Sequence, residues 1–462
     1  MERMRSSDSP TRSRPHRRSS WRQGICWRPS PWVILLVVSL VSALLSLFGP
    51  VIQSPPISWE GASLQVLLLT VFWATHRLGS RAASRIRVGP SVPASAGGWI
   101  AAFFAIGIVG AALQVAGKLE ALGGLSFNGI YALRAQRAEE LASAGRSQAG
   151  WSAAFGFIAY PAGIVGACAF IRWYERMRAT QFMLAAAFGT AFVMMTVFAG
   201  GRGPILAAGA VVFGTAILRM IDGQTAIPRS RALRLGTLFA VICFIGYSSV
   251  IWSVRSESVA MDAQQFLDYA EDSWGMTVRP GFREVVEPRV GVEGLRIVVA
   301  SSFYLSQSTS VLERIISAPS IPPMFGLYHI DVVAAVYRAF ASADGRLLAD
   351  GNQALLAENV YGFFAGAWGG LLIDFGYAGA IVATAAWGWL AGRSWGAAIS
   401  VPGAPSALML AFWLAASLWS FASSPLGFSN AATLLCWFVF FSYLVRPCQR
   451  GVADRFAPPV GG

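Results

Sequence analysis

The sequence predicts an all-α, polytopic helix bundle in a membrane, and three observations predict it. The chain is 55% hydrophobic with only 13% charged residues and a mean hydropathy of +0.54. Soluble globular chains are about 45–50% apolar and about 25% charged, so this one has too little polar surface to coat a soluble fold. Apolar stretches of about 20 residues, enough to cross a bilayer, recur along its length. Arginine marks alternate connections between them, as expected when basic loops stay inside. Of the 36 basic residues all but Lys118 are arginine, and the net charge is +13, a bias that fits a GC-rich coding habit.

The first thirty residues hold eight arginines among Ser and Pro (Arg3, Arg5, Arg12, Arg14, Arg17, Arg18, Arg22 and Arg28). Such a run can bind nucleic acid, but an apolar stretch begins at Trp32, and positive charge before a first span sets topology. Residues 1–30 therefore read as a disordered cytoplasmic tail, with no small-residue cleavage site to make it a signal peptide. Nucleic acid is not an expected partner; the lipid bilayer is.

Segment 31–53 is the first expected span, followed by 58–76 and an inner loop with Arg77, Arg81, Arg85 and Arg87. Segment 97–117 crosses to an outer loop 118–150, and 151–171 returns to Arg172, Arg176 and Arg178. Segments 181–199 and 204–218 form a tight pair around Gly200-Gly201-Arg202-Gly203-Pro204, returning to Arg219, Arg229, Arg231 and Arg234. Segment 235–253 completes seven spans within 31–253 and leads into one large exported loop, 254–361. That stretch carries eight Arg against thirteen Asp and Glu from Arg255 onward, the reverse of the inner loops. Residues 362–446 hold a re-entrant segment and spans near 373–391, 405–423 and 429–445, and 447–462 is a basic inner tail. The total is about ten spans, or eleven to twelve with the ambiguous stretch 292–312. There, Ser301, Ser302, Gln307 and Ser308 interrupt the apolar residues, a pattern of an amphipathic or re-entrant helix rather than a span.

The five cysteines lack metal-ligand spacing and none lies in the exported loop. No phosphate-binding glycine loop, zinc-type histidine pair or nucleophile elbow is present. The inner loops are too short for a nucleotide-binding domain, which disfavours an ATP-driven transporter or a nucleotide-sugar enzyme. No cofactor and no metal are expected.

Candidate site residues are therefore charged or polar groups at the exported ends of spans, where charge is costly and usually functional. Arg202, in its glycine turn before a helix N-terminus, fits a diphosphate clamp, though an arginine there can also simply reach the interface. Arg134 and Arg137 share a helix face, as a solvated charged face also would. His329, the one histidine on the exported side, is a candidate general base, with Asp331 and Arg338 beside it in sequence. Asp374 opens an otherwise apolar span, where it can cap the helix or face a cavity.

The segment Asn359-Val360-Tyr361-Gly362-Phe363-Phe364 runs through Gly366, Gly369 and Gly370 to Asp374-Phe375-Gly376-Tyr377-Ala378-Gly379. Together with the Gly-Gly-Arg-Gly turn, the stretches Phe303-Tyr304-Leu305-Ser306 and Phe325-Gly326-Leu327-Tyr328, and one large exported loop before the last spans, it resembles bacterial oligosaccharide repeat-unit polymerases of the Wzy type. The resemblance covers roughly residues 180–395; His329 departs from its pattern. It implies glycosyl transfer outside the cytoplasm, at the inner membrane, from a glycan on undecaprenyl diphosphate to the next lipid-linked repeat unit. It further implies cationic clamps for the diphosphate (Arg202, Arg134, Arg137, Arg289, Arg338), sugar contacts from Tyr328 and Asn359, and a base among His329, Asp331 and Asp374. A flippase and a chain-length regulator are the implied partners. An O-antigen ligase and a lipid-linked glycan flippase are the competing readings; the absence of duplicated halves disfavours the latter.

Overall fold

A computed structural model describes residues 29–83, 96–122, 151–198, 203–228, 262–318, 320–340 and 346–445, with isolated positions at 230, 234, 235 and 246. Among these residues the chain is almost entirely helical. Thirteen helices are numbered here in chain order: α1 Pro31–Phe48, α2 Trp59–Ala83, α3 Ala96–Leu122, α4 Trp151–Arg172, α5 Ala179–Phe198, α6 Gly203–Ile221, α7 Ala263–Trp274, α8 Pro280–Ser317, α9 Asp331–Phe340, α10 Arg346–Ala357, α11 Gly366–Ser400, α12 Met409–Leu418 and α13 Ala431–Leu444. Six of them, α1, α3, α4, α5, α6 and α11, are long and apolar enough to cross a membrane.

Several expected spans change shape. Residues 51–53 of the first one leave the helix and form strand β1 (Val51–Gln53), which pairs antiparallel with β2 (Met276–Val278). The stretch 58–76 is helical but continues to Ala83 and carries Glu60, His76, Arg77 and Arg81. The stretch 405–423 divides into α12 and two flanking single-turn 3-10 helices, Pro405–Leu408 and Trp419–Phe421. The apolar stretch 235–253 lies outside the described residues.

Glycines set the closest helix contacts. Gly388, Gly392 and Gly396, four apart on α11, meet the backbone of α2 at Phe72, His76 and Ser80 in turn, so the two helices run parallel. Gly107 and Gly110 of α3 face Gly163 and Tyr160 of α4, and Gly156 faces Gly110 and Gln114, an antiparallel ladder. Small residues at this spacing let backbones approach, the main source of packing energy between apolar helices in lipid.

The end of the bundle away from β1 is locked by two fully buried arginines. Arg172 forms a bidentate pair with Asp222 (2.9 and 3.3 Å) and reaches the Ala404 carbonyl. Arg219 donates to the carbonyls of Ile171, Arg172 and Thr225 and pairs with Glu175 at 2.6 Å. The Arg219 guanidinium closes the C-terminus of α4, whose last carbonyls it pairs, while Arg172 ties that end to Asp222 and to the turn after α11.

At the β1 end, α8 and α11 do not behave as simple spans. α8 bends at Gly291 (φ 71°, ψ 175°). Its N-cap Arg279 bonds to the carbonyls of Leu47, Gly49 and Pro50, and Arg314 near its other end bonds to those of Ser54, Trp274 and Asn359. With both ends tied to the 47–54 segment, α8 lies across this end instead of traversing the bundle. With α7 and β2 it builds a small cap whose core is Val51, Leu267, Ala270, Met276, Leu295, Val299 and Phe303. α11 is broken at Gly376 (φ 64°, ψ −175°), a conformation open to glycine alone. Trp368 and Trp387 have ring centroids 6.0 Å apart, whereas nineteen residues of straight helix would separate them by about 28 Å. The arm 366–375 therefore rises from inside the bundle and folds back at Gly376 into the descending arm.

The glycine ladder has a measurable consequence. Gly392→Ala and Gly388→Ala drive a methyl into the α2 backbone and are expected to cost about 1–3 kcal/mol. Gly189→Ala, where nothing lies within 4 Å, is expected to be neutral or better; thermal unfolding of the purified variants in detergent checks the contrast.

Candidate functional site

Where the α11 arms meet, Asp374 faces the loop 324–330, and its carboxylate organises that loop. The backbone N–H groups of Tyr328 (2.9 Å), His329 (3.2 Å) and Gly326 all donate to it. The backbone adds two further bonds, Met324 N–H to the Ile373 carbonyl at 3.0 Å and Phe325 N–H to the Asp374 carbonyl at 2.7 Å. The carboxylate thus serves as the anion in a nest of amides, a geometry that the glycines of the loop permit. Phe325 and Gly326 adopt positive φ (53° and 89°) to close it. With three donors on its oxygens, Asp374 is a positioning residue for the loop; it has little lone-pair capacity left for proton transfer.

His329 is held by this loop and buried. Its ring fits between Gly370 and Gly427, where a Cβ at either position would overlap the imidazole, and Tyr328 packs edge-on against it at 4.5 Å. The ring bonds to the Gly370 backbone, while Nδ1 has no hydrogen-bond partner among the described residues and stands 3.9 Å from Asp374 Oδ2. Burial pulls the imidazole down from its ordinary value to about 4, the Gly370 bond opposing only in part. His329 is therefore neutral at pH 7.

The loop leads directly into α9, whose first residue is Asp331. Asp331 is an exposed residue, and its carboxyl accepts one long bond, from Asn430 N–H at 3.4 Å. Desolvation by the surrounding protein raises it above the ordinary carboxylate range, with the Asn430 amide and the Arg338 guanidinium opposing. Arg338 sits two helical turns along the same face of α9, and burial pulls it down while Asp331 and Tyr361 oppose. Its Nε is buried without an acceptor among the described residues. Tyr361 completes this side, its hydroxyl pushed up by burial and drawn back by Arg338.

Two residues that the sequence reading missed close the cluster from behind. Tyr160 of α4 bonds through its side chain to Ser429 and Asn430. Asn430, in the left-handed region at φ 60°, ties the turn before α13 to the Phe157 carbonyl through Nδ2. A signal existed for both: Tyr160 precedes a proline within an apolar run, and Asn430 interrupts another. Neither pattern says that the two meet.

The expected site residues thus divide. His329, Asp331, Asp374, Tyr328 and Arg338 come together at one end of the bundle, around the junction of α9 with the fold-back of α11. Arg289 does not join them: it is exposed on the first arm of α8 and donates to the Val285 carbonyl. Asn359 is exposed, and its backbone carbonyl holds Arg314. Arg134, Arg137 and Arg202 lie outside the described residues. No cluster of three potential metal-ligating side chains occurs among the described residues.

All-α architecture and six helices long and apolar enough to cross a membrane define the class: a helix-bundle protein with membrane-spanning character. Comparison with described protein families, with characterised proteins and with solved structures finds no match for this chain.

Because folded His329 binds its proton only near pH 4 and the unfolded chain binds it near 6.5, the protein loses stability as pH falls between those values. The full effect is about 3 kcal/mol. Thermal unfolding at pH 7 and pH 4.5 is expected to show a smaller drop in His329→Gln than in the parent. Separately, Asp374→Ala strands three buried amides at roughly 1–3 kcal/mol each and is expected to expose the 324–330 loop to proteolysis.

Proposed function

We propose that the chain is a membrane glycosyltransferase that polymerises undecaprenyl-diphosphate-linked oligosaccharide repeat units into a surface polysaccharide. On this reading it is a multi-pass protein of the bacterial inner membrane with both termini cytoplasmic, and the cap faces the periplasm. The arginine excess on alternate loops supports that orientation, since basic loops are retained inside.

The observation that carries the reading is the buried Arg338 Nε, which has no acceptor among the described residues, on a guanidinium that feels the charge of Asp331. An orphaned buried donor of this kind calls for an anion, and a lipid diphosphate meets it from the membrane side. Asp331, two turns earlier on the same face of α9, is the group placed to take a proton. In the proposed step the acceptor hydroxyl gives its proton to Asp331 as its oxygen bonds to the anomeric carbon of the donor. The anomeric carbon–diphosphate bond breaks, and the electron pair leaves on the diphosphate, which Arg338 stabilises. Arg202, Arg134 and Arg137 are proposed as further clamps on the same face. Asp374 and the His329 ring hold the loop that carries Asp331, and Tyr328 and Tyr361 offer hydroxyls and ring faces to sugar.

Arg338→Ala and Asp331→Asn are each expected to reduce polymer at least 100-fold, the scale of a lost transition-state contact or base, at unchanged protein level; electrophoresis of the extracted glycan reads this. Deletion of the gene is expected to leave single repeat units on the lipid carrier, and an unchanged polymer length distribution would overturn the reading.

A further inference from the structure

The second arm of α8 uses one face twice. Toward its C-terminus, Ser308, Leu312 and Ile315 point into the bundle: Ser308 lies against Ser42 of α1 and beneath Gly366, Leu312 is in the main core, and Ile315 meets Gly369. Seven and eleven residues before Ser308 and Leu312 the same face carries Ile297, Ser301 and Leu305, with Val298 a further seven before Leu305, because those intervals return to one side of a helix. Here the face is uncovered: Ile297, Val298 and Leu305 are 52%, 38% and 39% exposed. The opposite face of this stretch, Leu295, Val299 and Phe303, is buried in the cap core. From Ile297 to Ser308 is about 16 Å of helix. The arm therefore extends past the edge of the bundle with apolar side chains on its underside.

What lies under that overhang follows from its neighbours. α1 packs directly against α8 and carries an exposed apolar ridge, Leu40, Leu44 and Phe48. The ridge rises to Gly49, whose carbonyl Arg279 holds at the start of α8. The overhang itself begins where Ser308 meets Ser42 of α1, so its underside starts against the flank of a helix long enough to cross a membrane. A polar partner has little to bond there, since Ser301 and the partly buried Tyr304 are the hydroxyls on this side of the stretch.

We propose that residues 297–305 of α8 rest in the bilayer interface, so that the cap is seated on lipid as well as on protein. The proposal rests on the membrane reading above but not on polymerase activity. Helices of this kind bury one apolar face to the headgroup–acyl boundary. Val298 and Leu305 then face acyl chains, while Glu293, 65% exposed at its side chain, stays in water.

Site-directed spin labelling tests this on the full chain, made without native cysteines and reconstituted in phosphatidylcholine–phosphatidylglycerol liposomes. Labels at Val298→Cys and Leu305→Cys are expected to be several-fold more accessible to oxygen than to a water-soluble nickel chelate, and Glu293→Cys the reverse. Ser301→Cys reads the same face should either apolar position fail to fold when labelled. Leu44→Cys on α1 reports whether the bundle itself is in the bilayer. Oxygen access at Leu44 with chelate access at Val298 and Leu305 overturns the proposal alone; chelate access at Leu44 as well overturns the membrane reading. Shielding of Val298 and Leu305 from both reagents also overturns the proposal, in favour of a second copy or another protein on this face.

Discussion

The Asp374 carboxylate and the three amides it gathers are the constraint on which the candidate site depends. Without that anchor the loop 324–330 has no partner for its buried N–H groups, and each left unpaired costs on the order of 1–3 kcal/mol. The anchor itself depends on the fold-back at Gly376. Only because the arm 366–375 ends there does its last turn present a side chain and two carbonyls to another loop instead of continuing a helical ladder. The positions of His329, of the N-terminus of α9, and hence of Asp331 and Arg338 all follow from this one junction.

Electrostatically the two ends of the molecule are built on different rules. At the end with Arg172 and Arg219 every guanidinium donor described has a carboxylate or carbonyl, and the result is a lock. At the other end the Arg338 Nε is buried with no acceptor among the described residues, while exposed Asp331 accepts a single long bond. A buried polar group left underused is expensive, and proteins keep one where a ligand completes the set. This contrast within one chain supports placing chemistry around α9.

Much of the architecture was legible in the sequence because it follows from composition and period. The six helices long and apolar enough to cross a membrane appear where apolar runs of 15 to 23 residues were read. The shape of the rest was hidden for identifiable reasons. The break at Gly376 looks in the sequence like any glycine in a glycine-rich span; what fixes its φ is the loop docked on Asp374, some fifty residues upstream. Asp374 itself was read as a cap or a base, and which one could not be told without its partners, which are amides and leave no trace in side-chain pattern. Tyr160 and Asn430 lie 270 residues apart and meet only through helix packing. His329 was legible as a lone candidate histidine, but not as one wedged between two glycines.

Arg314 has a consequence for how the molecule assembles. Its guanidinium joins the carbonyls of Ser54, Trp274 and Asn359, residues from the first eighth, the middle and the last third of the chain. The C-terminal end of α1 thus waits through some three hundred residues of synthesis for the contacts that seat the cap on it. Long-range contacts of this kind are slow to form and leave surfaces open until late. The helices can form one by one as they emerge, whereas the cap closes as a late, cooperative step.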